Sequence, residues 1–216
     1  MKKIVVIGAT GFVGKSITNE FVNRNFEVLG ISRNIIKSDK SNLSFIASDI
    51  YDVNEFTKNI KGYDVVVNAF NPGLKSEDLY NKFMAGYKAI HEAVKRSGVK
   101  RYIVIGGAGS LSLEDGQLVM DTPQFPEEIK PMAKACADYL VFLKNERELD
   151  WAFFSPAIEM YTHVTTGRTG KYRLGGSHPI FDKEQKSILS VEDLAVVIAD
   201  EIESPKHHHV QFTAAY

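Results

Sequence analysis

The sequence predicts an α/β fold: a doubly wound parallel sheet with helices on both faces. Three observations predict it. Short apolar runs alternate with longer stretches of helical period. Runs such as DVVVNAF (64–70) and RYIVIG (101–106) are apolar without alternation, as strands covered on both faces must be. The first run, KKIVVI, opens directly into three evenly spaced glycines, GATGFVG at 8–14.

In chain order, strands are expected at Lys3 to Ile7, Glu27 to Ile31, Leu43 to Ala47, Asp64 to Ala69, Arg101 to Ile105, Trp151 to Ser155 and Val210 to Thr213. Helices fall between them. Val13, Ile17 and Phe21 repeat every fourth residue after the glycines, and Leu79, Phe83, Tyr87, Ile90 and Val94 make a longer stripe behind a Ser76 cap. Pro131 suits the first turn of a helix running to about Arg147, with Cys136, Leu140 and Leu143 on one side. SVED at Ser190 to Asp193 has the form of a capping box opening the last helix. The stretch 157–189, rich in Gly, Thr and charge, is the least regular and is expected to form a small substrate-side region.

The 216 residues suit one domain spanning 1–216, and 44% hydrophobic with 25% charged residues is ordinary globular composition. Lys+Arg 26 against Asp+Glu 27 gives none of the positive excess of a nucleic-acid-binding surface. The lone Cys136 excludes an internal disulfide. No apolar stretch approaches membrane-spanning length, and the short run after MKK lacks a signal-peptide pattern, so a cytoplasmic protein without membrane or nucleic-acid partners is expected.

The glycines give the first functional signal, because they sit between a strand and an amphipathic helix. Gly8 would make the tight turn, Gly11 would let the backbone approach a pyrophosphate, and Gly14 would allow close helix-to-strand packing. The helix N-terminus beyond them, with Thr10, Phe12 and Val13, offers unpaired N–H groups and the positive end of a dipole. A dinucleotide is the expected ligand.

The G-x-x-G-x-x-G spacing of GATGFVG resembles the extended and atypical short-chain dehydrogenase/reductases. The blocks GGAGSL, DTPQFPEEIKP, ELDWAFFSPA, RTGKYRLG, ILSVEDLA and QFTAAY, in that order, look like the NADH-flavin reductase group of the atypical, NmrA-like NAD(P)-binding proteins. The resemblance covers nearly the whole chain and implies a Rossmann-type domain.

It also implies a set of cofactor contacts. Arg33, about twenty residues past the glycines, stands where an acidic residue would otherwise hold the ribose 2′-OH of NAD. A guanidinium there pairs with a 2′-phosphate, so NADP is favoured and NADPH is preferred over NADH, with Ser32 and Lys37 in support. The resemblance puts Asp49 and Ile50 at the adenine and places Asn68, Ala69 and Phe70 along the adenosine and ribose. Asn68 is equally readable as a buried strand-end hydrogen bond, and Phe70 as core. Gly106 and Gly107, with Ser155 and Pro156 after the sixth strand, would lie beside the nicotinamide.

The resemblance departs from the wider family in one respect. The Tyr-x-x-x-Lys pair that supplies a proton there is absent, since Tyr139 is followed four positions later by Leu143. Lys130 and Lys134 share a helical face on the side of the nicotinamide ribose, although surface lysines are the commoner reading. Ser110 is left as the candidate for polarising a substrate. Flavin reduction accommodates the loss, because hydride transfer to a flavin leaves the protons to water. Arg168, Lys171 and Tyr172 offer the charge and the aromatic face that a flavin such as FMN or FAD would want, or else belong to a solvated hairpin. The histidines at 207–209 read as a polar turn with no metal called for, and His163 is the histidine nearest the expected substrate side.

The expected activity is therefore NAD(P)H-dependent reduction of a flavin or similar planar acceptor, by a monomer or homodimer whose partner is a small molecule. Two rivals stand beside it: a non-catalytic NADP-binding redox sensor of the NmrA type, and a small carbonyl or enone reductase or isomerase using Ser110.

Overall fold

A computed structural model describes residues 1–34, 36–73 and 78–216. Eight strands form one sheet: β1 (Lys3–Ile7), β2 (Glu27–Ser32), β3 (Leu43–Ala47), β4 (Val65–Asn68), β5 (Arg101–Ile105), β6 (Asp150–Phe154), β7 (Arg173–Gly175) and β8 (Val210–Ala215). Their order is β3-β2-β1-β4-β5-β6-β8-β7. Every pairing is parallel except β7 with β8. The chain winds outward from β1 to β3, then returns to β4 on the other side of β1. That reversal places the switch point between β1 and β4, where ligands of open α/β sheets gather.

Helices cover both faces. On one, α1 (Phe12–Asn23) packs beside α5 (Val191–Glu203), burying Ile17, Phe21, Leu194 and Ile198 against Val6, Ile103 and Phe212. On the other, α2 (Val53–Ile60), α3 (Leu79–Ser97) and α4 (Lys130–Leu143) bury Phe56, Phe83, Ile90 and Leu140 against Val5, Val66, Tyr102 and Trp151. Each large apolar side chain removed from water contributes roughly 1.5–3 kcal/mol, and coverage on both sides explains why the central strands show no polar alternation. Among the described residues no helix is long and apolar enough to cross a membrane.

The structure corrects several local expectations. Helix α2 has only Phe56 and Ile60 buried, too few to show a period, although Asp52 caps it by accepting from the Glu55 N–H at 3.0 Å. Strand β7 is three residues long and edge-placed, so it carries no strand pattern. Helix α4 stops at Leu143, short of Arg147, and β8 runs on to Ala215. Ser190 caps α5 by accepting from the Asp193 N–H, but the reciprocal half of the box is not made. The Asp193 carboxylate instead accepts from the N–H groups of Thr169 and Gly170 and from the Tyr216 hydroxyl. The Ser76 cap lies outside the described residues. Helix α3 begins after Asp78 and closes at Gly98, whose φ of +82° is the left-handed conformation glycine adopts freely.

Candidate functional site

The strand-to-helix turn after β1 is built from main chain. Gly8 has φ +75°, and a Cβ on it would lie 3.0 Å from the Ala69 carbonyl carbon of the neighbouring strand end. Gly14 is required by packing, since its Cβ would sit 2.7 Å from the Gly8 carbonyl carbon. Gly11 differs: a Cβ there meets only the Gly8 oxygen, at 3.3 Å. No strained φ demands a glycine at 11, and a Cβ there would be crowded less than at Gly8 or Gly14.

Gly11 is the N-cap of α1 and makes no side-chain capping bond, and the first intrahelical bond runs from Lys15 N–H to its carbonyl at 2.9 Å. The amides of Phe12, Val13 and Gly14 precede that bond and are the unpaired N–H groups a helix start presents to an anion.

Beside this turn lies a cavity of about 1070 Å³ along the C-terminal ends of β1 to β4. Of the residues singled out in the sequence, Gly8, Thr10, Gly11, Ser32, Arg33, Asp49, Ile50, Ala69 and Phe70 line it. Arg33 is exposed and has no ion-pair or hydrogen-bond partner among the described residues, which leaves the guanidinium available at the cavity wall. Ser32 donates its hydroxyl to the Asn34 carbonyl. Asp49 accepts from the Tyr51 N–H at 2.9 Å, a local turn that leads into α2. Lys37 is exposed and does not line the cavity.

Ser48 lines the cavity too, as do Asn71 and Pro72 after β4, and other lining residues escaped the sequence reading: Tyr51 and Glu55 around the start of α2, and Asn81, Lys82 and Ala85 in the first turns of α3. The Asp-x-x-Glu spacing of Asp52 and Glu55 was the available signal for the first group. The hydroxyl of Tyr51 lies 3.5 Å from the Lys82 carbonyl, so the two helix starts meet across the cavity.

Several expected contacts sit elsewhere. Asn68 is fully buried; its amide donates to the Tyr102 hydroxyl at 2.8 Å and its oxygen accepts from the Phe70 N–H at 3.0 Å. It shapes the wall without facing the cavity. Phe70 both lines the cavity and packs edge-on against Phe83 and Tyr87. Gly106 is held against the Phe153 ring, Ser155 and Pro156 are buried, and none of these, nor Gly107, lines the cavity.

Ser110 is 4% exposed and cannot present its hydroxyl to a substrate in this conformation. It donates to the Gly107 carbonyl at 2.8 Å and lies 2.9 Å from the Ser155 hydroxyl, which in turn accepts from the Gln211 amide at 2.9 Å. The chain Gln211, Ser155, Ser110, Gly107 is satisfied internally, so the polarising role expected of Ser110 is withdrawn.

The substrate-side residues are also redirected. Arg168 forms a two-pronged pair with Glu20 of α1, both contacts at 2.8 Å, and the Tyr172 hydroxyl donates to Asp200 of α5 at 2.5 Å. These side chains strap the segment to α1 and α5 because Glu20, 5% exposed, needs cationic partners. Lys171 is exposed and lines no part of the cavity. Lys130 pairs with Glu127 and Lys134 with Asp138, each at 2.8 Å. The histidine run is a polar corner: His207 meets Glu201 at 2.7 Å and stacks on Phe212, while His208 meets Asp150 at 2.8 Å. Cys136 is buried, and burial pushes its thiol up to about 11.

A strand, a bare glycine cap, unpaired helix amides and a long cavity over the switch point together fit a dinucleotide. The family model described as NAD(P)H-binding matches residues 8–205. This chain belongs to the NAD(P)H-binding family. The resemblance drawn from the sequence blocks pointed to that placement. Bacillus subtilis YwnB is 34% identical over 98% of this chain and 97% of its own length. Among solved structures of similar proteins, one from Bacteroides thetaiotaomicron, provisionally named an epimerase, has a TM-score of 0.91 at 44% identity, covering 100% of this chain and 97% of that one. Another, from Streptococcus pneumoniae, provisionally named an NADH-flavin reductase, has a TM-score of 0.86 at 32% identity, covering 100% and 99%. The two solved relatives thus share this fold under names from different chemistries, and what the family model gives for this chain is NAD(P)H binding.

Proposed function

We propose that the protein is an NADP-dependent oxidoreductase that reduces a flavin or a similar planar small molecule. The observation that carries the cofactor choice is Arg33, an unpartnered guanidinium among the described residues, on the wall of the dinucleotide cavity. Its fork matches a 2′-phosphate, and a carboxylate in its place would repel one. Gly11 and the first amides of α1 hold the pyrophosphate, while Ile50 and Ala69 supply apolar walls. The chemistry the cofactor supplies when bound is hydride donation.

The flavin part of the proposal is supported by the name of the Streptococcus pneumoniae relative and by the burial of Tyr139 and Ser110. Both are enclosed, so neither serves a bound substrate as acid or polarising group, and a reaction that takes its protons from water needs neither. The same burial disfavours the carbonyl or enone reductase reading and the epimerase name of the Bacteroides relative, both of which need a positioned proton donor. It favours one rival, a cofactor sensor without turnover. NADPH oxidation in the presence of FMN, FAD and riboflavin decides between them: turnover on any of these supports the reductase, and tight NADPH binding with no turnover supports the sensor.

A further inference from the structure

A line of buried polar side chains runs from the cavity wall to the far end of α4. The Asn68 amide meets the Tyr102 hydroxyl at 2.8 Å, Tyr102 meets Tyr139 at 3.2 Å, Tyr139 meets His91 Nδ1 at 3.3 Å, and His91 Nε2 meets Glu146 at 2.7 Å. Asn68, Tyr102 and Tyr139 are completely buried, and His91 and Glu146 nearly so. Nothing in the proposed reaction uses them.

The direction of every bond in this line is determined. Glu146 also accepts from the N–H groups of Glu148 and Leu149, and as a carboxylate it can only accept. His91 therefore carries its hydrogen on Nε2, and the neutral ring offers Nδ1 as an acceptor. Tyr139 must donate to His91, Tyr102 to Tyr139, and Asn68 to Tyr102. That fixes the amide of Asn68 with its oxygen toward the Phe70 N–H, where the 3.0 Å bond is found. Ala69 and Phe70 are cavity wall, and the Ala69 carbonyl abuts Gly8 of the glycine turn.

We propose that His91 is a positioning residue for the cofactor site: neutral, it sets the direction of the buried line and so holds the Asn68–Phe70 turn. Protonated, it releases that turn and weakens cofactor binding. A proton on Nδ1 makes His91 a donor to Tyr139, whose own hydrogen must then point at Tyr102. Either the Tyr102 hydrogen is left without an acceptor in a sealed site, or the Asn68 amide turns over and gives up its bond from Phe70. Both outcomes loosen the wall.

The groups facing His91 define the balance. Glu92 and Lys95 flank it on α3, Tyr102 comes from β5, Tyr139 and the edge-on ring of Phe142 come from α4, and Glu146 follows α4. Helix α2 reaches α3 here through the uncharged Thr57, whose hydroxyl lies 3.5 Å from the Ala93 carbonyl. Burial holds His91 below its ordinary value against the pull of Glu146, so neutral imidazole is the resting form. The inference rests on reading the cavity as the dinucleotide site.

The test compares wild type with His91→Gln, which keeps an amide donor toward Glu146 and an acceptor toward Tyr139 but does not titrate. NADP⁺ affinity is measured by titration calorimetry from about pH 8 to about pH 4.5, alongside the backbone amide resonance of Phe70 in cofactor-free protein. The 2′-phosphate of the ligand titrates in both experiments alike, so the ratio of the two proteins' Kd values isolates His91. The expected result is a wild-type Kd that rises about tenfold more than the variant's on acidification, with a Phe70 amide that titrates only in wild type. Tyr102→Phe, which cuts the line at its middle, is expected to behave like His91→Gln. Parallel Kd profiles in wild type and His91→Gln, or a Phe70 amide silent to pH in wild type, would overturn the proposal. Absence of NADP⁺ binding at every pH with a titrating Phe70 amide would instead remove the cofactor reading, and with it the proposed effect on binding.

Discussion

Arg168 reaches back to Glu20 with both arms of its guanidinium, Nε to Oε2 and Nη2 to Oε1, each at 2.8 Å. The residue lies in the irregular 157–189 segment, where an acceptor contact was expected, yet its partner is on the outer helix pair. Because Glu20 keeps Arg24 at 2.8 Å and the Arg168 side chain is half exposed, Arg168→Ala is expected to cost only about 1 kcal/mol. Thermal unfolding would register that small loss, and steady-state kinetics would show an unchanged KM for the acceptor. A raised KM with unchanged stability would return Arg168 to the substrate side.

The glycines separate two kinds of requirement. Gly8→Ala forces a Cβ onto the end of β4 at φ +75° and is expected to destabilise the fold by about 1–3 kcal/mol. Gly11→Ala meets only one oxygen at 3.3 Å, so its melting temperature should stay near wild type while NADPH affinity falls about tenfold or more. Equal losses of stability in both variants would mean that Gly11 serves the turn alone.

Arg33→Ala is expected to weaken NADPH binding by about tenfold to a hundredfold and to leave NADH binding nearly unchanged, since only the 2′-phosphate distinguishes them. Titration of both nucleotides against both proteins checks this. A variant that loses both affinities equally would place Arg33 on a part of the ligand the two cofactors share.

Why the sheet was legible and parts of the site were not follows from what each depends on. β1 and β5 were read to their end residues because buried strands are continuous apolar runs bounded by turn residues, and β3, a half-exposed edge strand, was read from the short run LSFIA alone. The turn after β1 was read because Gly8 and Gly14 answer to constraints of the backbone itself. Ser110, Arg168 and Tyr172 were misplaced because their partners, Ser155, Glu20 and Asp200, are 45, 148 and 28 residues away in sequence. No local pattern encodes such pairings. Tyr51 and Lys82 escaped for a related reason: they enter the cavity from the starts of α2 and α3, and only the packing of those helices brings them together.

Ser110→Ala removes a donor to the Gly107 carbonyl and a partner of Ser155, both in a sealed network. It is expected to lower stability by about 1–2 kcal/mol and to leave kcat within about twofold of wild type. Loss of kcat by orders of magnitude in a folded variant would restore its catalytic role.

Acid should destabilise the protein in two stages of the same sign. Burial opposes ionisation of Glu146, but hydrogen bonds from Glu148 N–H, His91 and Leu149 N–H outweigh it and bring the carboxyl down to about 2 from 4.5. Its contribution is present above the unfolded value near 4.5 and is lost as pH falls toward 2, a loss on the order of 3 kcal/mol. Burial lowers His91 below its ordinary 6.5, so its share fades earlier, as pH falls past 6.5. Urea unfolding across this range checks both stages. Glu146→Gln is expected to flatten the lower one, and an unchanged profile would contradict the assignment.

The most direct measurement is calorimetric titration of the protein with NADPH and with NADH, followed in the same preparation by nicotinamide oxidation with FMN. The account predicts NADPH binding at least about tenfold tighter than NADH, with FMN-dependent oxidation. Equal affinity for the two would contradict the role of Arg33, and absence of binding would reduce the glycine turn to a structural corner.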